Sequence, residues 1–175
     1  RLKQLPAIGE RNVTIDIRHA IDPRAARAFD TAELRAAFLI ESLFLPGEVK
    51  LTYSHLDRLV VGGATPVDAG LALPDVKQTG TERFLDRREM TVVNVGGDGT
   101  VTAGGDRFDM GHRDMLYLGR GAGPVSFASA DPGRPAKFYI LSAPAHHAYP
   151  SRLIRIGEAR RIDLGAQATS NERSI

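Results

Sequence analysis

Apolar and polar positions change their period part-way along the chain. Asp30-Thr31-Ala32-Glu33 reads as a helix start. Asp30 can cap free backbone N–H groups, and Glu33 stands three residues on, as a capping box requires. Leu34 and Phe38 lie four apart and share one helical face. This helix is expected to be short and to end before Pro46. Ahead of it, residues 1–29 carry Pro6, Gly9 and Pro23 and show little periodicity. They read as an extended arm with one short strand at Val13–Ile17.

From Val49 onward the pattern is that of strands. Val49-Lys50-Leu51-Thr52-Tyr53 alternates with period two, and Leu59-Val60-Val61 is an apolar run closed by Gly62-Gly63. A loop rich in Gly and Pro is expected from Ala64 to Thr81. Met90–Val95 reads as a strand ending at Gly96-Gly97-Asp98-Gly99. Thr100–Thr102, Arg107–Met110, Met115–Leu118, Val125–Ala128 and Lys137–Leu141 follow as further short strands. Gly- or Asp-bearing turns separate them and supply the positive φ angles that tight hairpins need. Short strands at this spacing predict an antiparallel sandwich or barrel. A helix is excluded here, because glycine would interrupt it at every turn. The polar segment 149–175 reads as a linker or arm leaving a domain that spans residues 30–148.

The 175 residues fit one domain with extended arms, and 42% apolar residues suffice for a core. No stretch approaches the ~20 apolar residues needed to cross a bilayer, so no membrane partner is expected. No charged and apolar leader opens the chain. Arg1 stands where an intact product has Met, so residues are expected to be missing ahead of it. The absence of cysteine excludes disulfides, thiolate catalysis and Cys-based zinc sites. It is compatible with a reducing cytoplasm, the expected location. The net charge is only +2. Its Arg residues are scattered among acids, with only pairs such as Arg87-Arg88 and Arg160-Arg161, so solvated surface is the reading and no nucleic-acid partner is expected.

The strands around Gly96 to Gly121 resemble the cupin barrel. Its first sequence block has two His at i and i+2, then a Glu, then a Gly; its second has a Gly, a Pro-x-Gly and a His. Glu89 followed by Gly96 fits the end of the first block, and Gly111 and Gly119 fit glycines of the second. The ligands do not fit. Arg83-Phe84-Leu85-Asp86-Arg87-Arg88 contains no His, and the second-block His position falls near Ala122. A transition metal needs three or four ligands, which Glu89 alone cannot supply. The expected fold is therefore an all-β, cupin-type jelly-roll barrel with one short N-terminal helix and no metal ligands in this chain.

Several strings narrow the resemblance. Tyr53-Ser54-His55-Leu56-Asp57-Arg58, Phe84-Leu85-Asp86-Arg87-Arg88-Glu89, Gly111-His112-Arg113-Asp114 and Ala143-Pro144-Ala145-His146 are similar to the amino-terminal half of the 5-keto-4-deoxyuronate isomerase family. These are double cupins of pectin and uronate breakdown. The resemblance implies an aldose-ketose isomerase. It would interconvert 5-dehydro-4-deoxy-D-glucuronate and 3-deoxy-D-glycero-2,5-hexodiulosonate. It also implies zinc in a carboxy-terminal half, a uronate substrate and a hexamer. This half would then be scaffold and subunit interface, inactive alone. A degenerate cupin that binds a sugar acid and a purely structural oligomerisation domain stand as alternatives.

Four residues are candidate substrate contacts. Arg58 is placed on a strand edge with His55 and Asp57, where its planar fork suits a uronate carboxylate; a structural ion pair, with Asp57 of another subunit or with Glu89, is the other reading. Arg88 lies in the run Arg87-Arg88-Glu89 entering a strand. The inward member needs a partner, and a structural salt bridge in place of a metal site is expected. His112 reads as a substrate contact or general acid/base, or as part of a turn in which Asp114 accepts backbone N–H bonds. His146, with His147 beside it, reads as a substrate contact or an exposed interface residue.

Overall fold

In this computed structural model, which describes residues 13–175, the chain reverses between Ala103 and Asp106 on two glycines. Gly104 and Gly105 have φ of 59° and 101°. Two successive residues at positive φ give the turn whose twist matches paired strands. It joins β6 (Gly99–Ala103) to β7 (Asp106–Met110). The same logic of short strands and tight turns builds the rest.

In chain order the elements are β1 (Val13–Arg18), α1 (Pro23–Ala26), α2 (Thr31–Phe38), β2 (Val49–Ser54), β3 (Val60–Ala64), β4 (Leu71–Ala72) and β5 (Arg88–Asn94). After β6 and β7 come β8 (Met115–Leu118), β9 (Val125–Ser129), β10 (Phe138–Pro144) and β11 (Arg152–Ile154). A small hairpin, β12 (Asp163–Leu164) with β13 (Arg173–Ser174), ends the chain.

The strands form a seven-stranded sheet, β1-β2-β3-β10-β5-β8-β11, and a four-stranded sheet, β4-β9-β6-β7. Among the described strands all pairings are antiparallel except β1 with β2. The inner faces meet in one core that includes Leu51, Val60, Met90, Leu116 and Ile140 from the large sheet, and Val101 and Phe127 from the small one. Phe127 and Phe138 meet across it with ring centroids 5.4 Å apart. This is the all-β, cupin-type architecture. Arg88–Asn94 shows strict alternation of buried and half-buried positions, because successive strand side chains point to opposite faces.

One buried amide orders the turns at the end of β5. Asn94 Nδ2 donates to the carbonyls of Gly97 (2.7 Å) and Met110 (3.1 Å). Its Oδ1 accepts from the N–H groups of Gly96 (3.0 Å) and Lys137 (3.3 Å). All four bonds that a side-chain amide can make are made.

Several elements differ from expectation. Gly62-Gly63 does not close a strand but lies inside β3, pressed between neighbours. A Cβ on Gly62 would sit 2.4 Å from Leu51 Cδ2, and one on Gly63 only 2.3 Å from the Leu43 carbonyl oxygen. His55, Asp57 and Arg58 are not on a strand edge. β2 ends at Ser54, and the reversal places Asp57 and Arg58 at φ of 53° and 54°. The segment expected to be a loop from Ala64 to Thr81 holds β4 and a single helical turn at Lys77–Thr79. The capping box at Asp30 is present, with both reciprocal bonds at 2.8 Å. A second helical turn, α1, precedes it, capped by Asp22. Helix α2 buries none of its residues, and Leu34 and Phe38 both stay exposed.

Both terminal arms carry sheet edges. β1 pairs with β2 in parallel, and β11 pairs with β8. Residues 1–12 of the amino-terminal arm lie outside the described residues.

Candidate functional site

Alternation along β5 turns Arg88 inward and Glu89 outward. Arg88 is 4% exposed. A guanidinium taken out of water is costly unless its charge and donors are matched. No carboxylate lies within ion-pair distance of it among the described residues. The salt bridge expected in the Arg87–Glu89 run is therefore not formed. Neutral groups take its place. Nε donates to Ser142 Oγ (3.1 Å), and Nη2 donates to the backbone carbonyls of Arg58 (2.7 Å) and Ser142 (2.9 Å). The guanidinium carbon stands 5.9 Å from the centre of the Phe84 ring, within cation–π range.

Ser142 is bonded on both sides. Its hydroxyl donates to the Glu89 carbonyl (2.7 Å) while accepting from Arg88. Tyr53, the last inward residue of β2, completes this end of the barrel and is also buried. Burial pushes the Arg88 guanidinium below its ordinary value. The Tyr53 phenol opposes that shift, and the Arg58 cation adds to it.

The β2–β3 turn is part of the same assembly. Non-glycine residues at positive φ are held at a conformational cost, and Asp57 and Arg58 are two in succession. The bond from Arg88 Nη2 to the Arg58 carbonyl fastens the turn to the barrel end. It is the backbone of Arg58 that touches Arg88, while its side chain is exposed. Beside the turn, the rings of His19 and His55 stack with centroids 4.6 Å apart and planes within 8°, and Tyr53 meets His55 edge-on at 5.2 Å.

Of the four candidate contacts, Arg58 and Arg88 come together here. His146 lies just beyond the same end of β10 and is exposed. His112 does not join them. Its Nδ1 lies 3.2 Å from the Gly96 carbonyl, beyond the opposite end of β5 and roughly 20 Å away along the strand. Tyr53, Ser142, Phe84 and His19 are partners that sequence reasoning missed. Tyr53 and Ser142 were detectable as polar atoms in the inward register of otherwise apolar strands. Nothing local in the sequence pairs His19 with His55.

Glu89 and Asp114 each hold structure. On the outer face of the large sheet the Tyr117 hydroxyl donates to Glu89 Oε2 (2.7 Å). Burial, then the Glu89 bond and charge, push Tyr117 up to about 12. Asp114 Oδ2 accepts from Gly111 N–H and from Arg155 Nη1, both at 2.9 Å, and Oδ1 accepts from Ile156 N–H at 2.9 Å. Burial works to raise Asp114, but the Ile156 N–H, the Arg155 guanidinium and the Gly111 N–H outweigh it and hold the carboxyl below its ordinary value.

These residues do not fit a bound zinc ion. Among the described residues no three His, Cys, Asp or Glu side chains converge. The inward position at the start of β5 is a cation, which repels a metal, and Glu89 points the other way.

No helix among the described residues is long and apolar enough to cross a membrane. Comparison with known proteins gives the chain its relatives. It is 56% identical over 164 residues to 4-deoxy-L-threo-5-hexosulose-uronate ketol-isomerase 2 of Rhizobium meliloti (strain 1021), covering 94% of this chain and 58% of that protein. To the ketol-isomerase of Escherichia coli O127:H6 it is 45% identical over 163 residues, 92% of this chain and 59% of the relative. The chain thus spans less than two thirds of the length of these curated relatives. Among solved structures, an IolB-like protein from Salmonella typhimurium LT2 superposes with a TM-score of 0.51 at 20% identity. That match covers 66% of this chain and 42% of the other, and it shows the fold alone. The profile of the KduI/IolB family matches residues 46–175, and with identities of this size the chain belongs to that family.

Proposed function

We propose that this chain is the amino-terminal portion of a 4-deoxy-L-threo-5-hexosulose-uronate ketol-isomerase, an enzyme that interconverts an aldose and a ketose uronate. The observation that carries the reading is 56% identity maintained across 94% of the chain. Identity at that level extends far beyond the few residues of a shared motif. Its place would be uronate breakdown, in the cytoplasm.

In this reading the chain is scaffold and subunit interface. Its inward polar residues, Arg88, Ser142 and Asn94, bond mainly to backbone groups of the barrel itself. The zinc expected of the family is assigned to the portion of the relatives that this chain does not match. The alternative of a barrel that binds a sugar acid without chemistry gains support from one observation, the buried Arg88 with no carboxylate beside it.

Two assays test the reading. Turnover of 4-deoxy-L-threo-5-hexosulose uronate is measured for the 175-residue chain, and for the same chain joined to the unmatched carboxy-terminal portion of the Rhizobium meliloti relative. The expected result is no turnover by the first and turnover by the second. Activity of the chain alone overturns the scaffold role. An inactive but folded fusion overturns the isomerase assignment. Light scattering of the fusion, with a hexamer expected, checks the interface role.

A further inference from the structure

We propose that the Arg88 end of the barrel binds a small carboxylate, with the unused Nη1 edge of Arg88 and the Tyr53 hydroxyl as its donors. The proposal rests on the geometry of this barrel and not on the isomerase reading.

The donor count leads to it. Of the five N–H groups of the guanidinium, the Nε group and both Nη2 groups have partners. The two on Nη1 have none among the described residues. Nor is Nη1 sealed away. Among the described residues the buried side-chain atoms without a partner are Thr52 Oγ1 and Thr65 Oγ1, so the unpaired Nη1 keeps some contact with solvent. The same holds for the Tyr53 hydroxyl, which has no bond among the described residues.

Charge points the same way. Every described group against the guanidinium is neutral or positive: Ser142, the two carbonyls, the Phe84 ring, Tyr53 and, close by, Arg58. A buried cation without a counter-charge is an expense that an incoming anion relieves. Fastening the β2–β3 turn uses one N–H of Nη2 and leaves Nη1 unexplained.

The geometry also selects the anion. Because Nε and Nη2 are occupied, a carboxylate cannot dock fork to fork. One oxygen would accept from Nη1 and the other from Tyr53 Oη. A monoanion balances the single buried charge, whereas a phosphate dianion carries an excess. The neighbouring His19–His55 stack offers ring faces and ring nitrogens to whatever the carboxylate is attached to, so hydroxylated organic acids fit best.

The test is calorimetric titration of the 175-residue chain with D-galacturonate, with D-galactose as its uncharged counterpart and with inorganic phosphate. Binding of galacturonate at one site per chain is expected, with at least tenfold weaker binding of galactose and of phosphate. Tyr53→Phe keeps the ring and removes one donor, and should weaken galacturonate about fivefold with an unchanged circular dichroism spectrum. Arg88→Lys keeps the charge but loses the fork, and should abolish binding; if it does not fold, Tyr53→Phe alone decides. No heat with galacturonate, unchanged affinity in Tyr53→Phe, or phosphate binding as tight as galacturonate overturns the proposal. None of these outcomes touches the turnover assays, so failure here is separable from failure of the isomerase reading.

Discussion

The carboxylate of Asp114 holds the backbone of Ile156: Oδ1 accepts the Ile156 N–H at 2.9 Å, across 42 residues of sequence. With Arg155 on Oδ2, this one side chain fixes the segment that follows β11. Asp114→Asn should cost roughly 2–4 kcal/mol, since it removes charge-assisted bonds and sets an amide against buried partners. Urea unfolding measures the loss, and hydrogen exchange should show β11 amides opening first.

The same carboxyl predicts an acid dependence. Its value is lowered by folding from 3.8, so the folded chain binds the proton less readily than the unfolded one. The stabilisation is present above that unfolded value and is lost as pH falls through the lower folded value. Urea midpoints taken from pH 6 downward should fall more steeply for the parent chain than for Asp114→Asn.

Tyr117 predicts the opposite limb. Folding raises it from 10.0 to about 12, so the neutral phenol is favoured by the fold. Its stabilisation is complete below pH 10 and disappears as pH rises through the folded value near 12. Tyr117→Phe should cost about 1 kcal/mol at neutral pH through the lost bond to Glu89, and should flatten the alkaline decline. Urea unfolding between pH 9 and 12 is the check.

Crowding at the β3 glycines sets a third expectation. Gly62→Ala and Gly63→Ala should each cost roughly 1–3 kcal/mol, as overpacking does. Gly63→Ala should be the worse, because its nearest obstacle is the Leu43 backbone oxygen at 2.3 Å, whereas Gly62 meets a Leu51 methyl that can rotate and the Lys50 carbonyl oxygen only at 2.9 Å. Thermal midpoints that rank in the reverse order would contradict the packing of β2, β3 and the Leu43 segment.

Ser142→Ala removes the hydroxyl shared by Arg88 and the Glu89 carbonyl. A loss of roughly 1–3 kcal/mol is expected, since it leaves a buried donor unmet. Restoration of most of that loss by Ser142→Thr, measured in urea, would show that the hydroxyl and not the volume matters.

Local signals account for what the sequence made legible. The Asp30–Glu33 box, the Gly104-Gly105 turn and the series of short strands from Met90 to Leu141 depend on neighbours in the chain, and each is found where it was expected. The β3 glycines were misplaced because their cause is steric and remote. Gly63 is required by Leu43, twenty residues earlier and not its pairing partner. The inward member of Arg87-Arg88-Glu89 needs a partner, and the expectation was a salt bridge; the strand turns Arg88 inward without one among the described residues. Hydroxyl and carbonyl acceptors from β10 and from the β2–β3 turn are invisible to a search for opposite charges. His112 was separated from Arg88 by strand length, which only the register reveals.

The arms at the two ends of the chain supply the outermost strands of the large sheet, β1 and β11. A version trimmed to residues 30–148 would therefore keep five of its seven strands and bare the N–H and C=O rows of β2 and β8 along both margins. Exposed rows of that kind recruit strands from neighbouring chains. Such a trimmed protein would precipitate or exchange strands between copies, even with Tyr53, Phe84, Arg88 and Ser142 still in place.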